Sequence, residues 1–199
     1  MFTGLIQATG AVVRATPLGA EADLAVELGQ LAARCAIGDS VALSGVCCTV
    51  THLRGSVAEF RLSAETLRRT WLGDARPPRR LNLELALRAG DPLGGHLVQG
   101  HVDAVGELVN VPDARRGGDL VVRLPVGLER YCVDKGSIAL DGVSLTIANL
   151  AGDRATIAVI PHTAQQTTLG EGRPGQPLHV EVDVLAKYVE RMLEPRLSN

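Results

Sequence analysis

The chain repeats itself, and the repeat limits what it can fold into. GDSVALSGVCCTVT at 38–51 returns as KGSIALDGVSLTIA at 135–148, and one shift of 97 residues superimposes them. The shift pairs Ser40 with Ser137, Ala42 with Ala139, Leu43 with Leu140, Gly45 with Gly142 and Thr49 with Thr146. It continues through Leu53 and Leu150, Gly55 and Gly152, Thr66 and Thr163, Thr70 and Thr167, and Leu72 and Leu169. Gly73 and Gly170, then Glu84 and Glu181, complete it. Near the start a shift of 96 aligns Gly4 with Gly100, Ala8 with Ala104 and Gly10 with Gly106. An offset this long marks a duplicated domain, because solenoid repeats are about 20–50 residues. The sequence predicts one copy over 1–93, a second over 94–184 and a tail over 185–199.

Each copy reads as β-structure. SVALSG, CTVTHL, SVAEFRL and LNLELAL in the first alternate or run apolar over short lengths between Gly, Asp and Pro. LVVRLP, SIALDG, SLTIANL, ATIAVIP and LHVEVDVL do so in the second. Short strands at regular spacing predict a small barrel or sandwich. Aromatic residues are only 3% of the chain, so Val, Leu, Ile and Ala must build the core. Segments 30–35 and 126–132 read as helical turns. VLAKYVERMLEP at 184–195 sets Leu185, Val189, Met192 and Leu193 at helical spacing, with Pro195 as the stop. That face needs a surface, either its own domain or another subunit.

Composition removes several function classes. A net charge of −2 with 46% hydrophobic residues does not suit a disordered chain. No apolar stretch nears the ~20 residues of a membrane helix. No basic stripe points to nucleic acid. MFTGLIQATGAVV lacks the basic region of a signal peptide and reads as mature structure. Cys35, Cys47, Cys48 and Cys132 form no C-x-x-C pair, which suggests free thiols in a reducing cytoplasm.

The residues able to do chemistry recur in both copies. Cys47 and Cys48 are adjacent in a strand, so they face opposite sides and only one can enter a given pocket. The counterpart of Cys47 is Ser144, with the surrounding Gly-Val and Thr retained, so the copies differ at a nucleophile-capable position. GGHLVQGH at 94–101 carries His96 and His101. Their spacing of five suits neither a helix face nor a strand face, and no acid or cysteine completes a metal set. Glu65-Thr66 and His162-Thr163 follow equivalent strands, where they cap the strand end or form paired recognition sites. No phosphate loop, dinucleotide fingerprint, nucleophile elbow or zinc-protease motif is present. The residues describe a duplicated β protein with paired, chemically unequal small-molecule sites.

These motifs resemble the riboflavin synthase family: the opening MFTGLI, GDSVALSGVCCTVT, ETL at 65–67, GGHLVQGHVDAVG at 94–106, KGSIALDGVSLT at 135–146 and IPHT at 160–163. The resemblance spans the chain. It implies two six-stranded Greek-key β-barrels, a C-terminal α-helix and a homotrimer held by those helices. It also implies dismutation of two 6,7-dimethyl-8-ribityllumazine molecules into riboflavin and 5-amino-6-ribitylaminouracil by four-carbon transfer. It implies as well that no metal or redox cofactor takes part. The active site is expected between the N-terminal barrel of one subunit and the C-terminal barrel of another. Docking with a lumazine synthase capsid stays open.

The same resemblance implies catalytic sensitivity at Phe2, Ser40, Cys47 and His101. His101 would take a proton from the acidic C7 methyl group of one lumazine. Cys47 or Ser40 would assist nucleophile addition to the other or position water, and Phe2 would stack on or wall the ring. Implied binding positions are Gly4, Leu5 and Ile6, then Cys47, Cys48 and Thr49. Leu62, Ser63, Ala64, Glu65, Thr66 and Leu67 follow, with Gly100, His101, Val102 and Asp103. The second barrel contributes Lys135, then Ser144, Leu145 and Thr146, then Ile160, Pro161, His162, Thr163, Ala164 and Gln165. Cys48 stands where the family more often has Leu, and Ala164-Gln165 where Leu is more usual. The competing reading is a non-catalytic lumazine or flavin antenna protein of the same duplicated fold.

Overall fold

The computed structural model describes residues 1–197, with side chains through Leu193. The first copy contributes β1 (Ala8–Leu18), β2 (Glu21–Glu27), β3 (Ser40–Leu43), β4 (Val46–Arg54), β5 (Val57–Leu62) and β6 (Arg80–Leu85). The second contributes β7 (Ala104–Asn110), β8 (Gly118–Arg123), β9 (Ser137–Leu140), β10 (Val143–Ala151), β11 (Arg154–Val159) and β12 (Pro177–Val182). Each set closes into an antiparallel barrel, in the order β1-β2-β5-β4-β3-β6 and, six strands later, β7-β8-β11-β10-β9-β12. The jumps from β2 to β5 and from β3 to β6 are Greek-key crossings. The expected duplicated all-β architecture is the one observed.

Side-chain alternation explains the closure. Along β4, Val46, Cys48 and Val50 point inward while Cys47 and Thr49 face out. Val41, Leu43, Phe60, Leu62, Leu81 and Leu83 join the first core. Ile138, Leu140, Ile147, Ile157, Leu178 and Val180 fill the second. Register repeats with the offset, so Ala42 opposes Cys47 and Ala139 opposes Ser144.

Some elements went unread in the sequence. The alternation pattern does not mark β1, β2 or β7. β1 contains Gly10 and Pro17 and shifts register between Val12 and Arg14, which breaks the two-residue period. The expected turns appear as 3₁₀ segments at Gly29–Arg34 and Glu129–Tyr131. Two short helices were not expected, α1 (Ala64–Arg69) and α2 (Pro161–Gln166). The Ser63 hydroxyl caps α1 by accepting the Thr66 N–H at 3.1 Å, and Pro161 opens α2. α3 (Val184–Leu197) passes the expected stop at Pro195.

A buried polar joint locks the barrels together about a pseudo-twofold axis. The Asn82 amide donates to the Asp141 carbonyl at 2.9 Å and accepts from the Thr168 N–H at 2.8 Å. Across the axis, His179 Nδ1 donates to the Ser44 carbonyl at 2.7 Å and Nε2 accepts the Trp71 N–H at 3.0 Å. An amide and an imidazole thus fill equivalent roles. These partners assign the His179 proton to Nδ1 and keep the ring neutral. Trp71 stacks on His179 at 4.6 Å and donates its indole N–H to Asp141 at 3.0 Å. Burial pulls His179 down to about 3 and pushes Asp141 up to about 6. No buried side-chain polar atom among the described residues lacks a partner, as a rigid joint requires.

Candidate active site

Each barrel is completed by the strand leading into the other. Phe2 and Val98 pair as a short bridge, with the Phe2 N–H donating to Val98 at 2.7 Å. From there the two lead-in arms cross. The Gly100 carbonyl accepts the Cys47 N–H of the first barrel at 2.8 Å, and Val102 packs on that barrel's core. The Gly4 carbonyl accepts the Ser144 N–H of the second barrel at 2.8 Å, and Ile6 packs on the second core. Glu84 gathers the N–H groups of Thr3 at 2.7 Å and Gly4 at 3.0 Å. Glu181 does the same for Gln99 at 2.7 Å and Gly100 at 3.0 Å. Burial raises both carboxyl groups, while the donated hydrogen bonds oppose it.

The crossing arm builds a cleft of about 520 Å³ on the first barrel. Cys47 enters from β4, Glu65, Thr66 and Arg69 from α1, and Gly100, His101, Val102 and Asp103 from the arm. α3 adds Lys187, whose ammonium meets Asp103 at 2.6 Å. Asp103 also accepts the Val182 N–H at 3.0 Å, which fixes the carboxylate. Glu65 is oriented by Arg69 at 2.9 Å and by Arg68. The cleft therefore collects a thiol, an imidazole, two carboxylates and two cations. That set can bind a polar heterocycle and move protons.

Other expected site residues lie elsewhere. Cys48 and Leu62 turn into the barrel core, and burial pushes the Cys48 thiol up. Leu67 packs against the same core, and Ala64 begins α1. Thr49 is exposed on the outer face of β4. Phe2 has no exposed surface; it packs with Ala42, Val98 and Ala139 between the barrels and backs Gly100. Ser40 does not share the cleft with Cys47 and His101. It lines a separate recess of about 530 Å³ with Leu5, Ile6, Arg34, Glu84 and Arg88.

The second barrel repeats the scaffold with different chemistry. Ser144 stands half-buried at the Cys47 position, against Gly4. The offset replaces Glu65 by His162, Arg69 by Gln166, His101 by Leu5 and Asp103 by Gln7. Ala164 and Leu145 pack toward the core, whereas Thr146, Ile160, Pro161, His162 and Gln165 are exposed and Thr163 is half-buried. Lys135 is exposed in a left-handed turn, where the first copy has Gly38. His96, weighed in the sequence only as a linker or metal residue, sits 2.7 Å from Ser144. Arg69, Gln99 and Lys187 were also missed as site residues. Lys187 is one of only two lysines among 20 basic residues, which is its one sequence signal, and the Glu84–Glu181 recurrence is visible in the repeat without its purpose.

Known proteins match this arrangement along most of the chain. The lumazine binding domain family matches twice, at residues 3–86 and 99–183. Riboflavin synthase of Mycobacterium tuberculosis strain H37Rv is 41% identical over 197 residues, covering 97% of this chain and 98% of the relative. That of Photobacterium phosphoreum is 39% identical over 194 residues, covering 97% and 89%. That of Bacillus subtilis is 34% identical over 199 residues, covering 100% and 93%. Among solved structures, LumP complexed with riboflavin superimposes with a TM-score of 0.86 at 20% identity, over 92% of this chain and 99% of that one. LumP with 6,7-dimethyl-8-(1'-D-ribityl) lumazine gives 0.84 at 19%, with the same coverage. At that identity the LumP likeness concerns the fold. Doubled barrels, the double domain match and full-length relatives agree: the chain belongs to the riboflavin synthase family, built from two lumazine-binding domains.

Proposed function

We propose that the chain performs the riboflavin synthase reaction, as a transferase that moves a four-carbon unit between two 6,7-dimethyl-8-ribityllumazine molecules. The products are riboflavin and 5-amino-6-ribitylaminouracil. One observation carries the reading: the first barrel holds a cleft rich in acid–base groups, and the repeat sets Ser144, His162, Gln166, Leu5 and Gln7 at the second-barrel positions equivalent to Cys47, Glu65, Arg69, His101 and Asp103. A dismutation needs two similar sites with unlike chemistry, since one molecule donates and the other accepts. Holding two rings face to face removes much of the entropic barrier, an effect that reaches about 7–11 kcal/mol in the best cases.

In this reading the first cleft does the proton work. His101 takes a proton from the C7 methyl of one lumazine, and Cys47 or Ser40 assists nucleophile addition to the other or positions the adding water. Asp103 and Lys187 hold polar ring or ribityl oxygens. The exposed Leu185, Tyr188, Val189 and Met192 on α3 suit a helix-mediated homotrimer, which would bring the first cleft of one subunit to the second barrel of another. Four free cysteines suit a cytoplasmic protein.

The test is to supply only 6,7-dimethyl-8-ribityllumazine and follow riboflavin by absorbance and product chromatography. Equal amounts of riboflavin and the diaminouracil support the reading. Tight binding without turnover would instead favour an antenna protein, the second reading that the LumP fold likeness keeps in view.

A further inference from the structure

The equivalent positions of the two barrels differ in one contact that the repeat does not explain. Cys47 and Ser144 occupy equivalent positions and are anchored alike, each N–H held at 2.8 Å by an arm glycine carbonyl. Only Ser144 has a histidine on its side chain: His96 Nδ1 lies 2.7 Å from Ser144 Oγ. Among the described residues no side chain hydrogen-bonds the Cys47 thiol. The loop carrying His96 is pressed onto the site. A Cβ at Gly95 would fall 2.1 Å from the Thr3 carbonyl oxygen and 3.0 Å from Ser144 Oγ. The His96 N–H is tied to the same Thr3 carbonyl at 3.3 Å.

We propose that His96 is the positioning residue of the second barrel's site, fixing the Ser144 hydroxyl for the heterocyclic ligand bound there. The inference rests on the lumazine reading above and goes beyond it by assigning how the second site differs from the first. A serine hydroxyl rotates among three wells, with one donor and two acceptor directions. The bond to Nδ1 selects one rotor, whichever atom carries the proton, and turns the remaining capacity toward a ring carbonyl, ring N–H or ribityl hydroxyl. Burial holds the imidazole below its usual range, with Asp183 opposing, so the ring is a neutral partner near pH 7. The second barrel thus presents an aligned oxygen, and the first presents an unconstrained thiol.

Steady-state turnover of 6,7-dimethyl-8-ribityllumazine, with a fluorescence titration of the same compound, tests the assignment. His96→Leu removes the bond, and the expected result is a KM about tenfold higher, the effect of one lost hydrogen bond, with weakened binding at one of two sites. His96→Asn places an amide where Nδ1 was and is expected to recover most of that loss. Ser144→Ala combined with His96→Leu should be no worse than either alone, as expected for one shared contact. The proposal is overturned if His96→Leu behaves as the unmodified protein, if the double variant is additive, or if His96→Asn is as impaired as His96→Leu. The last result would make the imidazole a proton carrier instead. A wild-type protein that neither binds nor converts the lumazine overturns the functional reading itself, and this assignment with it.

Discussion

Gly100 is where the crossing arm can be probed most cleanly. Its φ is +78°, and an added Cβ would lie 2.7 Å from Cys47 Cβ, 2.9 Å from Phe2 Cε2 and 3.0 Å from Cys47 N. Gly19 supplies the control, since its φ is +65° with nothing within 4 Å. Both alanine variants carry the left-handed penalty, about 1–2 kcal/mol. Only Gly100→Ala adds overpacking, about 1–3 kcal/mol, and strains the 2.8 Å bond from the Cys47 N–H, worth about 0.5–1.5 kcal/mol. Gly100→Ala should therefore be less stable than Gly19→Ala by about 1.5–4.5 kcal/mol. Urea unfolding of both variants, at constant m-value, measures the difference. Turnover should also fall in Gly100→Ala alone, because its carbonyl sets the position of Cys47. Equal stability and equal turnover in the two variants would refute the claim that the arm is packed tightly against Cys47.

The joint between the barrels predicts a pH signature. Between the ordinary histidine value of 6.5 and about 3, unfolded His179 binds a proton that the folded ring refuses, so acidification lowers stability there. Asp141 works oppositely between 3.8 and about 6, where the folded carboxyl holds a proton that the unfolded one has lost. His179→Asn, the role Asn82 already fills, removes only the first effect. Relative to wild type the variant should gain stability from pH 7 to pH 5, by up to about 1.4 kcal/mol per pH unit; a constant difference in urea unfolding would contradict this. At the cleft, Lys187→Met keeps the apolar stem and removes the charge beside Asp103. The expected result is a KM about fivefold higher, in line with a partly exposed pair worth about 1 kcal/mol; an unchanged KM at unchanged oligomeric mass would count against a binding role.

Much of the fold was legible because an offset survives substitution. Gly45, Gly142 and the Thr49–Thr146 pair marked equivalent turns and strands even where the intervening residues diverged. β1 was not legible, because Gly10, Pro17 and a bulge hide a long strand behind turn residues. α1 and α2 span six residues each, too few for a helical period to emerge. At the site, Cys47 was read as one of two opposed neighbours, and Cys48 does face the core. The arm exchange left no local mark, since Gly4 meets Ser144 and Gly100 meets Cys47 only through the fold. The Asn82–His179 equivalence was hidden for another reason: different side chains make the same two hydrogen bonds.

The exchanged arms impose an order of events on a chain made from its N-terminus. The first barrel can close its strands once β6 has emerged, yet its cleft lacks a wall until residues 97–102 arrive. The first six residues wait longer, because their docking partner Ser144 lies on β10, in a barrel that β12 must still close. During synthesis at about 5–20 residues per second, that wait lasts on the order of ten seconds. Throughout it, Phe2, which ends with no exposed surface, has no finished place to go. Residues 1–6, made ahead of the first barrel, are therefore seated after it, and the first cleft also waits for Lys187 on α3.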